Sequence, residues 1–240
     1  MMIEELKKLH VKLFADGADL AGMLEMYSKP YIQGLTTNPT LMKKAGITNY
    51  EKFARDVLLR ISDKPISFEV FSDDLNEMII QARKISGWGS NVYVKIPITN
   101  TQGISTLPII ETLTQENIKI NVTAIMTVDQ VKEISIALNS TVPSYVSVFA
   151  GRISDTGVNP IPTMIEILQV LASNKNAEVI WASPRELLNV FQANEIGCHI
   201  ITATNDILTK LKLLGKDLTE YSLETVEMFH NDAVSAGYSI

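Results

Sequence analysis

One lysine, Lys95, lies in the middle of an apolar segment, where a charged side chain is unusual. The segment reads VYVKIPI, with β-branched and aromatic residues on both sides of the lysine and Pro97 just beyond it. Lysine is rarely buried without a partner or a task. Burial lowers the pKa of an ammonium group, and the neutral amine is the form that attacks a carbonyl. The residue type and its position therefore favour Schiff-base chemistry.

Side chains alternate between the two faces of a strand, so Lys95 lies on the same face as Tyr93 and Pro97. In a closed barrel one face of each strand points inward and the other faces the helices. The alternative interpretation is a lysine that extends to the rim and pairs with a carboxylate. This strand alone gives the two interpretations about equal weight, so the other segments decide between them.

Further polar side chains stand near the ends of other strand-like segments. The set comprises Asp16, Thr37, Asn38, Glu69, Asn121, Thr123, Ser147, Arg152, Ser183 and Arg185. Singly, each has an ordinary explanation, such as a helix cap or a solvated loop residue. Together with a lysine they could cleave a carbon–carbon bond beside the carbonyl of a phosphorylated sugar. The amine would form an iminium, a carboxylate would move protons, and the arginines would hold phosphate through forked hydrogen bonds.

Eight β-branched segments must carry these side chains, and longer amphipathic segments alternate with them. The predicted strands span residues 11–16, 31–38, 66–72, 91–98, 119–126, 144–151, 177–183 and 198–204. Helices are predicted near 18–28 and over 50–62, 74–86 and 103–116, with a helical partner for each later strand. Several strands are apolar on both faces, as buried parallel strands are. Eight such units predict an α/β fold, a single (β/α)8 TIM barrel whose site lies at the carboxyl ends of the strands.

No linker or shift in composition divides the chain, so residues 1–240 are predicted to form one domain. A doubly wound open sheet is the competing architecture, but the first strand ends in ADGAD rather than in a GxGxxG turn. Residues 1–10 are predicted to be an N-terminal extension, a short polar helix at most. Residues 218–240 are predicted to form an extra C-terminal helix that packs on the barrel or on a neighbouring subunit. Its apolar positions are Leu223, Val226, Phe229 and Val234.

Composition narrows the class of protein. Hydrophobic residues make up 46% and charged residues 20%, which is typical of a globular protein with a sizeable core. The net charge of −6 argues against nucleic-acid binding. The single cysteine, Cys198, excludes an internal disulfide and a cysteine-based metal cluster. The first residues lack the apolar stretch of a signal peptide, and no apolar run is long enough for a membrane span. We therefore expect a cytoplasmic protein without a membrane partner.

Seven sequence motifs follow one another from about residue 11 to about residue 204. They read LFADGAD, GLTTNPTLM, FEV, VYVKIPIT, INVTAI, SVFAGRISD and ASPREL. In this order they resemble the successive motifs of the transaldolase family, and Phe229 and Asp232 of the last helix fit as well. The combination of TTNP with VKIP is the most specific part of the resemblance.

The resemblance implies a role for each matching residue. Lys95 corresponds to the Schiff-base lysine, and Asp16 to the group that takes the proton from the C4 hydroxyl. Glu69 and Thr123 correspond to the pair that holds a water for proton transfer at the iminium. The residues implied to bind substrate are Thr37, Asn38, Asn121, Ser147 and Phe149, with Arg152, Ser183 and Arg185 at the phosphate. No metal or organic cofactor is implied, because the iminium itself is the electron sink.

The activity implied is transfer of a dihydroxyacetone unit from sedoheptulose 7-phosphate or fructose 6-phosphate to glyceraldehyde 3-phosphate or erythrose 4-phosphate. One alternative is an enzyme like fructose-6-phosphate aldolase, which releases free dihydroxyacetone, and another is a catalytically silent phosphosugar-binding barrel. Phe149 and Glu69 stand where the free aldolases carry tyrosine and glutamine, which favours transfer. Pro184 departs from the family pattern, in which an aromatic residue separates the serine from the arginine. The partners implied are phosphorylated sugars and further copies of the chain in a homo-oligomer, because small relatives form rings.

Overall fold

Eight parallel strands close into a barrel in the computed structural model, which describes Leu6 and residues 8–240. The strands are β1 (Lys12–Asp16), β2 (Ile32–Thr36), β3 (Ile66–Glu69), β4 (Val92–Pro97), β5 (Ile120–Ile125), β6 (Ser144–Val148), β7 (Ala177–Trp181) and β8 (Ile200–Thr204). Each strand pairs with the next along the chain, and β8 pairs with β1. The predicted (β/α)8 barrel with a C-terminal helix is confirmed.

Helices alternate with these strands and surround the barrel. They are α1 (Leu20–Tyr27), α2 (Pro39–Lys44), α3 (Tyr50–Leu58), α4 (Leu75–Ser86), α5 (Leu107–Gln115), α6 (Val128–Ala137), α7 (Ala150–Asp155), α8 (Ile161–Leu171), α9 (Leu188–Glu195), α10 (Asn205–Leu208) and α11 (Leu218–Ser235), with a 3-10 helix over Thr209–Leu213. The sequence did not predict the two short helices α2 and α7, which follow β2 and β6 directly. Both lie at the carboxyl ends of the strands, where a barrel builds its site.

Short polar side chains determine where several helices begin. Asp19, Asn38, Asn49 and Asp74 each accept a hydrogen bond from a backbone amide in the first turn of the helix that follows. Thr127 and Gln130 form a reciprocal capping box at the start of α6. Except for Asn49, which follows α2, these caps stand between a strand and the next helix and so define where that helix begins.

The two faces of β4 pack as alternation predicts. Val92, Val94 and Ile96 belong to the core between the barrel and the helices. Tyr93 belongs instead to a second cluster inside the barrel, in which its ring stacks on that of Tyr145 with 4.0 Å between centroids. Lys95, two residues further along, therefore also points inward, and the aromatic rings lie below it on the amino-terminal side.

The absence of a side chain at Gly34 leaves space for the rings of this inner cluster. A Cβ atom at position 34 would lie 2.4 Å from the ring of Phe14, which is too close for any side chain. The Phe14 ring in turn contacts Tyr145 edge to face at 5.8 Å. The floor of the barrel is therefore filled by aromatic rings, and space remains only toward the carboxyl ends of the strands.

The predicted N-terminal extension falls largely on residues 1–5 and 7, which lie outside the described residues. The C-terminal segment forms α11, and none of its side chains is buried. Phe229 is 63% exposed and Val226 60%. Which surface covers this helix stays a prediction. Within the described part of the chain, no helix is both long and apolar enough to cross a membrane.

Candidate active site

A cavity of about 490 Å³ opens at the carboxyl ends of the strands. Ten of the twelve residues that the sequence singled out line it: Asp16, Asn38, Glu69, Lys95, Thr123, Ser147, Phe149, Arg152, Ser183 and Arg185. The other two, Thr37 and Asn121, are fully buried behind its wall. Residues from five strands and from the loops and helices between strands thus meet in one place.

Lys95 lies on the inner wall of the cavity with only 6% of its surface exposed. Its Nζ atom is 3.2 Å from Oε2 of Glu69 and donates a hydrogen bond of 3.1 Å to the carbonyl oxygen of Thr37. The amine is therefore held from two sides while it faces the cavity. Thr37 reaches it through the backbone, and its own hydroxyl donates to the carbonyl of Ser67 at 2.8 Å.

The pairing of β3 with β4 explains why Glu69 meets Lys95. The two residues are direct partners in the register of the parallel ladder. Glu69 is the last residue of β3, and the hydroxyl of Tyr50 donates to its carbonyl oxygen at 2.8 Å. Tyr50 thus binds the end of a strand that pairs with β2 at only its first two residues.

Asp16 ends β1 on the opposite side of the cavity from β4 and β5. Its Oδ1 accepts a hydrogen bond of 2.8 Å from the hydroxyl of Thr36, and the amide of Asn38 lies 3.5 Å from Oδ2. Desolvation by the cavity walls raises the pKa of the Asp16 carboxyl above its ordinary value, against the lowering effect of the Lys95 charge and the Thr36 hydrogen bond. A carboxylate with a raised pKa is suited to take up a proton and return it.

A buried chain of hydrogen bonds supports the wall between β3 and β6. The hydroxyl of Ser147 donates to Oδ1 of Asn121 at 2.7 Å, and Nδ2 of Asn121 donates to the hydroxyl of Ser67 at 2.9 Å. Asn121 therefore crosses beneath Lys95 to reach a strand that is not its neighbour. Its position orients Ser147, whose side chain faces the cavity.

Thr123 contributes a hydroxyl that has no hydrogen-bond partner among the described residues, although the atom is buried. The backbone next to it is unusual, because Ala124 has a φ of 62° and the pairing of β5 with β6 shifts between Val122 and Ile125. A buried hydroxyl without a partner is costly unless something in the site binds it. Thr123 is thus available to a molecule in the cavity.

Two arginines stand on the far side of the cavity. Arg152 is in α7, and its guanidinium lies 5.6 Å from the ring centroid of Phe149. Arg185 donates from Nη1 to the hydroxyl of Ser183 at 3.1 Å. Its Nε and Nη2 atoms donate to the two carboxylate oxygens of Asp155, with 2.8 Å for the first contact. An Arg–carboxylate fork has the geometry that also suits phosphate.

Pro184 does not separate Ser183 from Arg185, since both face the cavity. Ser183 has a φ of 60°, a left-handed conformation that is uncommon for a serine before proline. Its carbonyl oxygen packs against Gly151, where a Cβ atom would approach to 1.6 Å. The close approach of these two loops requires glycine at 151 and brings the β7 loop to the start of α7.

Several cavity residues were not predicted from the sequence. Thr36, Lys44 and Thr202 line the cavity, and Ser67 lies in the wall behind it. Thr202 was detectable in principle, because it alternates with apolar residues inside CHIITAT and so faces inward. No group of three or more His, Cys, Asp or Glu side chains among residue 6 and residues 8–240 is arranged to hold a metal ion.

Comparisons with known proteins show which family the chain resembles. The family model described as transaldolase/fructose-6-phosphate aldolase matches residues 13–240. A probable transaldolase from Methanococcus maripaludis strain C5 is 35% identical over 202 residues, covering 84% of this chain and 89% of the relative. A probable transaldolase from Thermoanaerobacter sp. strain X514 is 32% identical over 231 residues, covering 96% of this chain and 100% of the relative.

A solved structure shares the fold at much lower sequence similarity. The crystal structure of KGPDC from Streptococcus mutans aligns with a TM-score of 0.59 at 11% identity, over 83% of this chain and 90% of that one. At such low identity the similarity supports the barrel architecture alone.

Proposed function

The chain belongs to the transaldolase/fructose-6-phosphate aldolase family, and from this premise we propose that it is a transaldolase. It transfers a dihydroxyacetone unit from a ketose phosphate to an aldose phosphate through a Schiff base on Lys95. The donors are sedoheptulose 7-phosphate and fructose 6-phosphate, and the acceptors are glyceraldehyde 3-phosphate and erythrose 4-phosphate. The observation that carries this proposal is the buried Lys95 amine between Glu69 and the Thr37 carbonyl, at the wall of a cavity that also holds Asp16.

The first step is condensation of the amine with the ketose carbonyl. Glu69 is 3.2 Å from Nζ, close enough to take a proton from the ammonium directly or through one water. The neutral amine then adds to the carbonyl carbon, and the oxygen leaves as water after it is protonated. Thr123 supports this exchange, because its free hydroxyl can bind the water that moves between the carboxylate and the iminium.

The second step is cleavage of the bond between C3 and C4. Asp16 takes the proton of the C4 hydroxyl, the C4 oxygen forms a carbonyl, and the bonding electrons move into the iminium. The aldose phosphate leaves, and the three remaining carbons stay on Lys95 as an enamine. An acceptor aldehyde then reacts in the reverse sense, and Asp16 returns its proton to the new hydroxyl.

Neutral polar groups hold the three-carbon unit during this exchange. Asn38 and Ser147 line the cavity and have donors and acceptors for its hydroxyls. Asn121 was predicted from the family resemblance to contact the same unit. The burial of Asn121 supports a role through Ser147, to which it is hydrogen-bonded. The burial of Thr37 likewise supports a role through the Lys95 amine, which donates to its carbonyl oxygen. Direct contact of Asn121 with substrate stays a prediction.

The phosphate of either sugar binds Arg152, Ser183 and Arg185. Arg152 forms no ion pair among the described residues and carries a full positive charge into the cavity. Arg185 uses one edge of its guanidinium for Asp155 and keeps its outer edge for a ligand. Two guanidinium groups with a serine hydroxyl are a suitable set for a phosphate dianion.

Release of free dihydroxyacetone is the second candidate activity, since the family contains both kinds of enzyme by its description. Phe149 favours transfer, because its ring lines the cavity and offers no hydrogen bond that could orient an attacking water. A silent sugar-phosphate-binding barrel would not require the buried amine. The names of the relatives, probable transaldolases, favour the same choice.

Trapping with borohydride tests the proposal most directly. Fructose 6-phosphate with borohydride is expected to leave a reduced three-carbon adduct on Lys95, located by peptide mass spectrometry. Lys95→Ala is expected to lose both the adduct and the transfer of label to erythrose 4-phosphate. Lys44→Ala is the matched control, since Lys44 lines the same cavity and should leave the adduct in place. Substantial turnover by Lys95→Ala would disprove the mechanism.

The assembly proposed is a homo-oligomer, supported by the exposed apolar side chains of α11. An exposed apolar surface of this kind usually marks a contact with another protein. The reaction requires neither metal nor organic cofactor in this mechanism, because the iminium accepts the electrons. The cytoplasmic location expected from the sequence stays a prediction.

A further inference from the structure

Two threonine hydroxyls connect β8 to the Asp16 carboxylate. Oγ1 of Thr36 lies 2.8 Å from Oδ1 of Asp16 and 2.6 Å from Oγ1 of Thr202. Both threonines are buried, with 2% of the surface of Thr36 and 5% of that of Thr202 exposed. The three side chains come from β2, β8 and β1, and β8 lies beside β1 only because the barrel closes.

The direction of each hydrogen bond follows from the chemistry of the groups. An ionised carboxylate only accepts, so the single hydroxyl hydrogen of Thr36 points to Asp16. Thr36 then has no hydrogen left for its other neighbour, so Thr202 must donate to Thr36. While Asp16 is charged, the chain therefore runs from Thr202 through Thr36 to the carboxylate.

Protonation of Asp16 on Oδ1, the oxygen that faces Thr36, reverses the requirement. A carboxylic acid has a hydrogen to donate, and a hydroxyl can accept as well as donate. The acid hydrogen would point to Oγ1 of Thr36, whose own hydrogen would turn to Oγ1 of Thr202. Thr202 lines the cavity, so its hydrogen can turn to water or substrate there. Only rotations about C–O bonds are required, and no atom leaves the site.

We propose that Thr36 and Thr202 form a reversible hydroxyl pair that keeps Asp16 hydrogen-bonded in both its charged and its protonated state. They are positioning residues, which act on the reaction through Asp16. The inference rests on the proposed function, in which Asp16 takes up and returns one proton in each half of the transfer. A single fixed donor at Oδ1, such as a backbone amide, would stabilise the carboxylate but would leave an acid protonated on Oδ1 without an acceptor.

Asp16 is surrounded by further charged side chains of the cavity. Asp16 senses the Lys95 ammonium from β4 and the Glu69 carboxylate from β3, which act in opposite directions. The remaining charged side chains around the cavity are Lys44, Arg152 and Arg185. Among the groups near Asp16, the two threonine hydroxyls are the ones that can change from donor to acceptor by rotation alone.

Isotope-edited infrared spectroscopy of aspartate-labelled protein measures the titration of Asp16 without any turnover. The carboxyl band is assigned by its loss in Asp16→Asn. Thr36→Val and Thr202→Val are each expected to move the titration of Asp16 to higher pH, because a hydrogen bond donated to the ionised carboxylate is stronger than one made with the neutral acid. The smaller shift is expected for Thr202→Val, whose hydroxyl acts through Thr36. Thr36→Ser and Thr202→Ser keep a hydroxyl and are expected to titrate like the unmodified protein. Circular dichroism checks that each variant is folded.

Kinetics give the second readout. The acidic limb of the pH profile of kcat/KM is expected to move to higher pH in both valine variants. On that limb the rate falls about two- to tenfold, the effect of one hydrogen bond of about 0.5–1.5 kcal/mol. A loss that is uniform with pH would show a merely structural role and overturn the proposal. The proposal is also overturned if Asp16 in Thr202→Val titrates at the same pH as in the unmodified protein or at a lower pH.

Borohydride trapping and the infrared titration together separate this inference from the assignment of activity. If borohydride traps no adduct on Lys95, the proposed function fails, while the infrared titration still tests the hydroxyl pair. If the adduct forms and Asp16 titrates independently of Thr202, the Schiff-base mechanism stands and the hydroxyl pair is rejected.

Discussion

Glu69 and Lys95 are direct partners across β3 and β4, and their side chains form an ion pair of 3.2 Å inside the barrel. A second strand-borne pair, Lys12 with Glu178 at 2.7 Å, joins β1 to β7 at the opposite end of the barrel. The two pairs have similar chemistry, but only the first lines the cavity. They therefore form a matched set for separating catalysis from stability.

Replacement of Glu69 by glutamine is expected to slow catalysis strongly while leaving substrate binding nearly unchanged. Glutamine has the same shape but cannot accept a proton from the Lys95 ammonium. Loss of one general acid–base group costs about 10²- to 10⁴-fold in rate. Steady-state kcat for transfer to erythrose 4-phosphate measures this effect, with Glu178→Gln as the control that should keep its activity. Equal losses in the two variants would mean that the ion pairs serve stability alone.

Removal of either cavity arginine is expected to weaken the use of phosphorylated substrates. Arg152→Ala or Arg185→Ala deletes a charge-assisted contact worth about 1.5–3 kcal/mol. A loss of about tenfold or more in kcat/KM follows, because each 1.4 kcal/mol corresponds to a factor of about ten. Unphosphorylated ketoses and aldoses should be much less affected.

A control for these arginine variants is Arg83→Ala, which breaks a forked pair with Glu116 on the outer surface. Its kcat/KM should match that of the unmodified protein with both kinds of substrate. Similar losses with phosphorylated and unphosphorylated sugars in Arg152→Ala would contradict a phosphate contact and indicate that Arg152 supports α7 instead.

Substitution of Phe149 by tyrosine is expected to increase release of free dihydroxyacetone. The added hydroxyl can orient a water toward the iminium, which the phenyl ring cannot do. One such hydrogen bond of about 0.5–1.5 kcal/mol corresponds to about a two- to tenfold rise in hydrolysis. Product analysis with fructose 6-phosphate, with and without erythrose 4-phosphate, gives the ratio. If the unmodified protein releases dihydroxyacetone equally fast without acceptor, the free aldolase is the correct assignment.

Asp16→Asn is expected to raise the melting temperature while abolishing transfer. Desolvation raises the pKa of Asp16 in the folded state. The folded protein therefore binds more protons than the unfolded chain between the two pKa values, and stability falls as pH rises through that window. Asparagine has no charge to desolvate, and each kcal/mol gained raises the melting temperature by about 2–4 °C.

The gain from Asp16→Asn should be largest at neutral pH and should shrink below the ordinary pKa of aspartate, where both proteins are uncharged at this position. Differential scanning calorimetry over a pH series measures it. Asp19→Asn is the control, since aspartate and asparagine at position 19 can both accept the hydrogen bond that the Gly22 amide donates at the start of α1. A melting temperature of Asp16→Asn that is lower at every pH would contradict the expected cost of desolvation.

Charges on the apolar side of α11 are expected to reduce the size of the assembly. Val226 and Phe229 lie three residues apart and are exposed in the single chain. Val226→Asp combined with Phe229→Asp would place two carboxylates in a predicted contact between copies, which light scattering would detect as a smaller mass. Asn231→Asp adds a charge to the opposite side of the helix and should leave the mass unchanged. An unaltered mass in the double variant would exclude this side of α11 as the contact.

The alternation of strand-like and amphipathic segments was sufficient to predict most of the barrel. The strands were found because their apolar residues and turns are local features, and Lys95 was recognisable because a charge is rare in such a strand. The predicted strands 31–38 and 66–72 end earlier in the structure, at Thr36 and Glu69. Asn38 caps α2, so the last residues of the second predicted strand belong to a helix start. Local patterns do not locate such a boundary, because both conformations begin from extended backbone.

Residue types and their order along the strands were determined by the sequence itself: a lysine in β4, carboxylates in β1 and β3, and arginines after β6 and β7. Closure of the barrel decided which of them touch. It placed Thr202 of β8 2.6 Å from Thr36, paired Arg185 with Asp155, and set Asn121 behind the cavity rather than in its wall. These contacts join residues that are far apart in the chain, and they depend on strand register and side-chain packing. A one-dimensional pattern specifies which face a residue occupies, whereas distances across the barrel arise only when all eight strands are in place.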